Sequence, residues 1–230
     1  MRKRIVFTIS CCLTVLSVLL QSCDLDNNEM VDGMMPIAVV TVCPQEDESV
    51  LLRQDDVTVL RPVNMTASTF GGKEVRALVN YTPIEEKTTG GIIDVKINSI
   101  DTIRTKMPLT VLPGTDVTTY GNDPIEIMGS WVTVAEDGYL TLMVRTVRNP
   151  LFGSKHTLNL LAGTNPENPL EFVLCHDANG DYSGDKGDSL IAFNLNDIVG
   201  SGESDVKIKI VWNSFTGYKT TEFNMSRRKE

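Results

Sequence analysis

Apolar and polar residues alternate with a period of two along most of the chain after its first 35 residues. Successive side chains of a strand point to opposite faces, so this pattern is typical of half-buried antiparallel strands. The clearest apolar faces lie at 75–81, 93–97, 140–144, 191–195 and 206–212. The pattern predicts almost no helix, except one turn near 196–199. The sequence therefore predicts an all-β fold.

Turn-forming residues separate the predicted strands, and one polar stretch divides the chain. Asp137 and Gly138 stand between two apolar stretches and predict a two-residue β-hairpin. A segment rich in Thr and Gly at 113–123 separates two strand-rich halves. The first half holds about five predicted strands, as in a small barrel, and the second about seven, as in a sandwich. We therefore expect a β-barrel domain at 35–113 and a β-sandwich domain at 117–230.

The N-terminus has the organisation of a bacterial lipoprotein signal. Three basic residues at 2–4 precede an apolar run at 5–20, and Leu20 and Ser22 stand three and one places before Cys23. We expect a signal peptide at 1–22 and acylation of Cys23, whose acyl chains would hold the protein on a membrane. Two alternatives are a plain secretory signal cut elsewhere and an uncleaved anchor, although the run is short of the ~20 residues that span a bilayer.

Residues 23–34 form an acidic stretch directly after the expected lipid anchor. Asp24, Asp26, Glu29 and Asp32 cannot bury themselves there, so the stretch is expected to be a flexible tether. It serves either as a plain spacer or as a signal for export to the outer surface. We expect the protein on the outer membrane of a Gram-negative envelope, at its periplasmic or cell-surface face.

The charge balance excludes two classes of partner. The chain of 230 residues has a formal net charge of −9, and loss of the signal with its three basic residues would make the charge more negative. Nucleic-acid binding depends on cations that displace condensed counterions, so we expect no nucleic-acid partner. Because the chain is negatively charged, binding to anionic headgroups is also disfavoured.

Two cysteines remain in the mature chain besides Cys23. Cys43 and Cys175 fall in different predicted domains, so two buried free thiols are favoured over a disulfide between them. His156 and His176 are the only histidines of the chain. Because Cys175 and His176 are neighbours on a predicted strand, their side chains should point to opposite faces and could not share a zinc ion.

An acidic loop is the strongest candidate for metal chemistry. Oxygen ligands at alternate positions of a tight turn can surround Ca²⁺, which takes several carboxylate and carbonyl oxygens at once. The candidate calcium ligands are Asp177, Asn179, Asp181, Ser183, Asp185 and Asp188. The same residue types also form ordinary solvated turns, so a plain hairpin loop is the alternative. We expect no other cofactor.

Two aromatic residues are candidates for ligand binding. Trp131 lies on the face opposite Val132 and Val134, where it could form an exposed stacking surface. Tyr139 follows the predicted hairpin turn and could join a binding edge. Trp212, by contrast, shares a face with Ile208 and Ile210, so it is expected in the core.

Segments over nearly the whole mature chain resemble one family. They read LVNYT at 78–82, GNDPIEI at 121–127, GSWVTVAEDGYLTLMVR at 129–145, HDANGD at 176–181 and IAFNL at 191–195. Together with the lipoprotein signal, these segments resemble the NigD-like lipoproteins. The resemblance implies an N-terminal OB-type barrel and a C-terminal β-sandwich, and an association with bacteriocin operons. The family has no established catalytic residues, so none is carried over.

The sequence favours a non-enzymatic binding or interaction module anchored to the envelope. We expect a membrane anchor, a tether and two β domains, and the sequence lacks a nucleophile elbow and a paired metal motif. Its partner would be an envelope protein or a glycan. The alternatives are a glycan-acting hydrolase with an unmarked carboxylate pair and a structural subunit joined by strand addition at an exposed edge.

Overall fold

The computed structural model describes residues 37–89, 91–149, 151 and 153–229. The signal peptide, Cys23 and the tether lie outside these residues. The segment from Met35 to Glu230 forms one compact unit. Among the described residues, no helix is long and apolar enough to cross a membrane.

The first five strands close into a barrel. They are β1 (Ile37–Pro44), β2 (Val50–Arg53), β3 (Val59–Pro62), β4 (Val75–Thr89) and β5 (Ile92–Thr102). The strand order is β1-β2-β3-β5-β4, and β4 pairs with β1 to complete the circle. Only the pair of β3 with β5 is parallel. The predicted apolar face of β4, which includes Ala77 and Val79, fills the barrel interior. This is the five-stranded arrangement of an OB fold.

Ten strands form the two sheets of the sandwich. They are β6 (Thr105–Lys106), β7 (Leu109–Thr110), β8 (Glu126–Ile127), β9 (Val134–Glu136), β10 (Tyr139–Arg148), β11 (Thr157–Ala162), β12 (Glu171–Asp177), β13 (Asp185–Asn194), β14 (Val206–Ser214) and β15 (Gly217–Met225). One sheet has the order β6-β13-β10-β8, with β9 also on β10, and the other has the order β15-β14-β12-β11-β7. The predicted apolar faces of β10, β13 and β14 meet between the sheets, where Leu140, Phe193 and Ile208 are fully buried. The all-β prediction is therefore confirmed.

Local predictions also agree with the structure. The hairpin turn between β9 and β10 has positive φ at both Asp137 (51°) and Gly138 (73°), as a two-residue type I′ turn requires. The predicted helical turn is α1 (Asn196–Val199). Two 3₁₀ turns, Ala67–Phe70 and Val117–Tyr120, accompany the strands. Trp212 is buried in the sandwich core, as its face predicts.

The chain enters the sandwich earlier than the polar stretch at 113–123 suggested. β6 pairs in parallel with β13, and β7 pairs in parallel with β11, although both precede Pro113. Each of these strands has only two residues, so no alternation marks them in the sequence. The division into two separate folding units therefore stays a prediction, with its boundary better placed between β5 and β6.

A third cluster of apolar side chains joins the barrel to the sandwich. Val39 of the barrel and Ile103 pack against Val132 and Ala192 of the sandwich. The sheet that contains β10 is consequently covered on both faces, because Thr141 on its second face is also buried. The site described next lies at this junction.

Candidate functional site

An exposed tryptophan marks a groove between the barrel and the sandwich. Trp131 is 59% exposed and lies just before β9. Two adjoining depressions of about 160 and 450 Å³ share Asp55, Val134 and Glu136 in their walls. We call this surface the junction groove and define it by Gln54, Asp55, Asp56, Val57, Trp131, Val134 and Glu136. Trp131 therefore offers its ring beside a concave surface.

Apolar and acidic groups both face the junction groove. Val57 is 73% exposed on the loop between β2 and β3. The same loop is held by Asp55, whose Oδ1 accepts hydrogen bonds from the backbone N–H groups of Val57 and Thr58 at 2.9 and 2.8 Å. Nζ of Lys229 lies 3.9 Å from Oδ2 of Asp56. The groove can thus contact apolar groups and cations at the same time.

Glu136 connects the groove to a fully buried arginine behind it. Nη2 of Arg76 lies 3.5 Å from Oε2 of Glu136, and the Arg76 side chain is 0% exposed. Burial raises the pKa of the Glu136 carboxyl, and the Arg76 charge opposes that rise. Arg76 also donates to Oγ1 of Thr41 at 2.9 Å and to Oγ1 of Thr141 at 3.3 Å. The buried Arg76 therefore holds the carboxylate of Glu136 in the wall of the groove.

Tyr139 does not occupy the surface position expected of a binding residue. It is 2% exposed, so no face of its ring is free for stacking on a ligand. Its hydroxyl donates to Oε1 of Glu74 at 2.5 Å and accepts from Nδ2 of Asn194 at 3.2 Å. Burial and the neighbouring Glu74 raise the pKa of Tyr139. Its place between barrel and sandwich gives Tyr139 a structural role.

The acidic loop does not gather its oxygen atoms around one point. Asp188 pairs with Arg145 through two bonds of 2.7 and 2.8 Å on the outer face of β13. Asp177 accepts from the backbone N–H of Asn179 at 2.7 Å, and Asp181 turns inward. Within the described parts of the chain, no three His, Cys, Asp or Glu side chains are grouped to hold a metal ion. The calcium site in this loop therefore stays a prediction.

Both cysteines are buried and free. Cys43 lies on β1 in the barrel and Cys175 on β12 in the sandwich. Sγ of Cys175 lies 3.5 Å from the carbonyl oxygen of Val117, on the opposite side of the strand from the ring of His176. Burial raises the pKa of each thiol to about 11, which keeps both groups protonated and unreactive at neutral pH.

Three ionisable side chains form a row that no pattern in the sequence indicated. Nε2 of His176 lies 2.9 Å from Nδ1 of His156, and Nε2 of His156 lies 3.3 Å from Oδ2 of Asp181. Nδ1 of His176 faces the carbonyl oxygen of Pro124 at 3.2 Å. The backbone N–H of Asn149 donates to both oxygens of Asp181 at 3.0 Å. Pairing of β11 with β12 places Leu158 opposite His176, which brings the two rings together. The sequence separation of 20 residues gave no such signal.

The partners of this row determine where its protons lie. A carbonyl oxygen only accepts, so Nδ1 of His176 carries a proton, and burial lowers the pKa of this histidine and favours its neutral form. Nε2 of His176 is then an acceptor, and His156 donates to it through Nδ1. The other nitrogen of His156 faces a carboxylate, which also accepts. The row therefore runs from the carbonyl oxygen of Pro124 through the two imidazole rings to Asp181.

Comparisons with known proteins identify the family. Residues 39–103 match the model of the NigD-like N-terminal OB domain, and residues 108–225 match that of the NigD-like C-terminal beta sandwich domain. The chain therefore belongs to the NigD-like family, as its sequence segments indicated. None of the curated proteins compared with the chain matches it.

Solved structures of similar fold come from Parabacteroides and Bacteroides species. A candidate toxin-related protein from Parabacteroides distasonis is 26% identical, with a TM-score of 0.69, and the match covers 84% of this chain and 93% of that one. A candidate lipoprotein from Bacteroides fragilis is 16% identical, with a TM-score of 0.58, over 84% of this chain and 99% of that one. A NigD-like immunity protein from Bacteroides caccae is 19% identical, with a TM-score of 0.51, over 83% and 92%.

Proposed function

We propose that this protein is a non-enzymatic binding module of the bacterial envelope, held on the membrane through Cys23 and binding its partner at the junction groove. The observation that carries the proposal is Trp131, a large aromatic side chain left 59% exposed beside a concave surface. Tryptophan is strongly enriched among the residues that dominate binding energy at protein interfaces.

The charge of the groove suggests the chemistry of the partner. Asp55 and Glu136 line it together with the apolar side chains of Val57 and Val134. A protein segment that carries basic and apolar side chains complements this surface. Names from toxin and immunity biology among the structural relatives agree with a role in recognising another protein. A glycan stacked on Trp131 is the alternative outcome of the tests below.

A tether fits such a role. An acidic stretch of chain between the acyl anchor at residue 23 and the barrel would let the groove search the space near the membrane. The lipoprotein name of one structural relative supports the anchor. The outer membrane, with the folded part at its periplasmic or cell-surface face, remains the proposed location.

Acylation is tested directly by metabolic labelling. Cells that express the full chain are given radioactive palmitate, and the protein is compared with the Cys23→Ala variant. We expect label on the wild-type protein alone, and we expect the variant to lose its membrane association. Equal labelling of the two proteins, or label on neither, contradicts the lipid anchor.

Partner binding is tested by photocrosslinking at the groove. A photoreactive amino acid at position 131 of the full-length protein is expected to trap a discrete partner in native envelopes, whereas the same group at position 218, an exposed tyrosine on β15, is not. Trp131→Ala should weaken binding of the identified partner by roughly tenfold or more, the loss typical of a central aromatic contact. Tyr218→Ala, a matched loss of an exposed aromatic ring, should leave it unchanged.

The charge of the partner is tested with Asp55→Asn. The amide oxygen can still accept from the N–H groups of Val57 and Thr58, so the loop should keep its shape while its charge is lost. Affinity should fall and should lose part of its dependence on salt. Equal crosslinking at positions 131 and 218, or release of reducing ends from a glycan by the purified protein, would overturn the proposal.

A further inference from the structure

A second concave surface lies on the sandwich and shares no residue with the junction groove. It has a volume of about 360 Å³ and lies between β6, β10 and β13 of one sheet and the start of β11 in the other. Its polar wall contains Arg104, Lys106, Arg148 and His156, and its apolar wall contains Leu158 and Ile191. Four basic side chains therefore line one small pocket of an acidic protein.

The two arginines have no acidic partner. Within the described residues, neither Arg104 nor Arg148 forms an ion pair or a side-chain hydrogen bond. Several cations elsewhere in the fold are paired, such as Arg61 with Asp94, Arg145 with Asp188, Lys209 with Glu171 and Lys219 with Glu126. Arg104 and Arg148 differ from these cations, because both line one pocket and neither is paired with a carboxylate.

Arg148 lies over its neighbour strand β13. Its guanidinium lies across Gly187, where an added Cβ would be 2.4 Å from Nε of Arg148. A glycine at this position leaves room for the side chain to lie flat over the strand. Arg148 is exposed, so its guanidinium is accessible to a ligand at the pocket.

Lys106 is fixed by the opposite sheet. Its Nζ donates to the carbonyl oxygen of Leu158 at 2.5 Å and to Oδ1 of Asn159 at 2.6 Å. An ammonium group has three protons, so one donor is left for the pocket. Burial and the neighbouring Arg104 lower the pKa of Lys106.

One carboxylate balances only one of these cations. Asp181 is 7% exposed and is occupied by the ring of His156 and by the N–H of Asn149. Arg104, Lys106 and Arg148 then leave an excess of positive charge in a chain of net charge −9. Hydroxyl groups of Ser154 and Ser189 on the pocket wall add neutral donors.

We propose that this pocket binds a compact organic anion of about the size of an acidic sugar, with its carboxylate or phosphate group on Arg104, Lys106 and Arg148 and its body against Leu158 and Ile191. Planar guanidinium groups bind carboxylate and phosphate through paired, charge-assisted hydrogen bonds. The apolar wall favours a ligand with carbon surface over a bare inorganic ion. The volume suits one sugar unit better than a polymer chain.

The test is titration calorimetry on the full-length protein in a nonionic detergent at low salt. Three probes of similar size are compared: glucuronate, glucose 6-phosphate and neutral glucose. We expect one or both acids to bind at least about tenfold more tightly than glucose, with affinity that falls as salt rises. Binding by glucuronate alone identifies a carboxylate site, and binding by glucose 6-phosphate alone identifies a phosphate site.

Variants assign the binding to the pocket. Arg148→Gln should weaken the favoured acid by about tenfold or more, since it removes a charge-assisted contact. Arg145→Gln, three residues earlier on β10 and paired with Asp188 outside the pocket, is the matched control and should bind as the wild type does. Because Arg148 has no partner to lose, its variant should melt at the wild-type temperature. Two acids that bind no better than glucose, or equal losses in Arg148→Gln and Arg145→Gln, would overturn the proposal.

Discussion

Replacement of Arg76 by alanine is expected to lower the free energy of unfolding by about 3–5 kcal/mol, the usual cost of removing one partner of a buried charge pair. The Arg76 side chain is 0% exposed and joins Thr41 of the barrel to Thr141 of the sandwich. Its loss would leave both hydroxyls and the half-buried Glu136 without a donor. The shortened side chain would also leave a cavity at the junction.

Urea unfolding followed by tryptophan fluorescence measures this loss. Arg76→Met, which keeps most of the volume, should recover part of the stability because the cavity is filled while the polar contacts stay lost. Arg145→Ala is the matched control. It breaks an ion pair whose two side chains are 38% and 36% exposed, so its effect should be far smaller. Equal effects of Arg76→Ala and Arg145→Ala would show that the junction contributes little to stability.

The sequence predicted those parts of the fold that depend on local patterns. Alternation along 206–212 requires only that one face of a strand is apolar, and in the structure that face, with Ile208, Ile210 and Trp212, lies in the core. The hairpin at Asp137 and Gly138 follows from the backbone conformations that these two residues tolerate. Alternation also made an exposed Trp131 one possibility, and the structure has this side chain 59% exposed.

Features that depend on the packing of one domain on the other were not predictable. Arg76 alternates with the apolar face of β4 and therefore has the pattern of a solvent-facing residue, yet the sandwich covers it completely. Tyr139 follows a turn, which suggested a surface position, but the barrel buries it. The second faces of β4 and β10 carry mixed residues, because a junction between domains tolerates polar groups that have partners.

The candidate sites were missed for a related reason. His156, His176 and Asp181 are dispersed along the chain, and only the pairing of β11 with β12 places them in contact. Arg104 precedes β6 and Lys106 belongs to it, and a strand of two residues is too short for any periodic signal. In both cases the residue types can be read from the sequence. The contacts between these residues come from nonlocal strand pairing, which the sequence does not show.

The junction also links stability to the proposed binding surface. Glu136 faces the groove on one side and Arg76 on the other, so a change in the buried network should alter the acidic wall of the groove. The second ionic cluster at the junction is centred on Arg228, close to the C-terminus. It donates to Asp137 at 3.0 and 2.8 Å and to Glu74 at 3.0 Å through each of two nitrogens.

Replacement of Arg228 by alanine is expected to destabilise the fold by about 2–3 kcal/mol, less than at Arg76 because the Arg228 side chain is 25% exposed. Burial disfavours the charged form, but hydrogen bonds to Asp137 and Glu74 outweigh it and raise the pKa of Arg228. Without the guanidinium, these two carboxylates would face each other without their shared donor.

Denaturant unfolding of three variants tests this assignment. Arg228→Lys keeps the charge but cannot make paired bonds to both carboxylates, so it should recover only part of the loss. Arg227→Ala is the control, because Arg227 donates only to carbonyl oxygens of Ser201 and Ser204 on the exposed surface and should matter much less. If Arg228→Ala and Arg227→Ala were equally stable, the C-terminal segment would not hold the barrel on the sandwich. The expected order of stability is wild type, then Arg227→Ala, Arg228→Lys and Arg228→Ala.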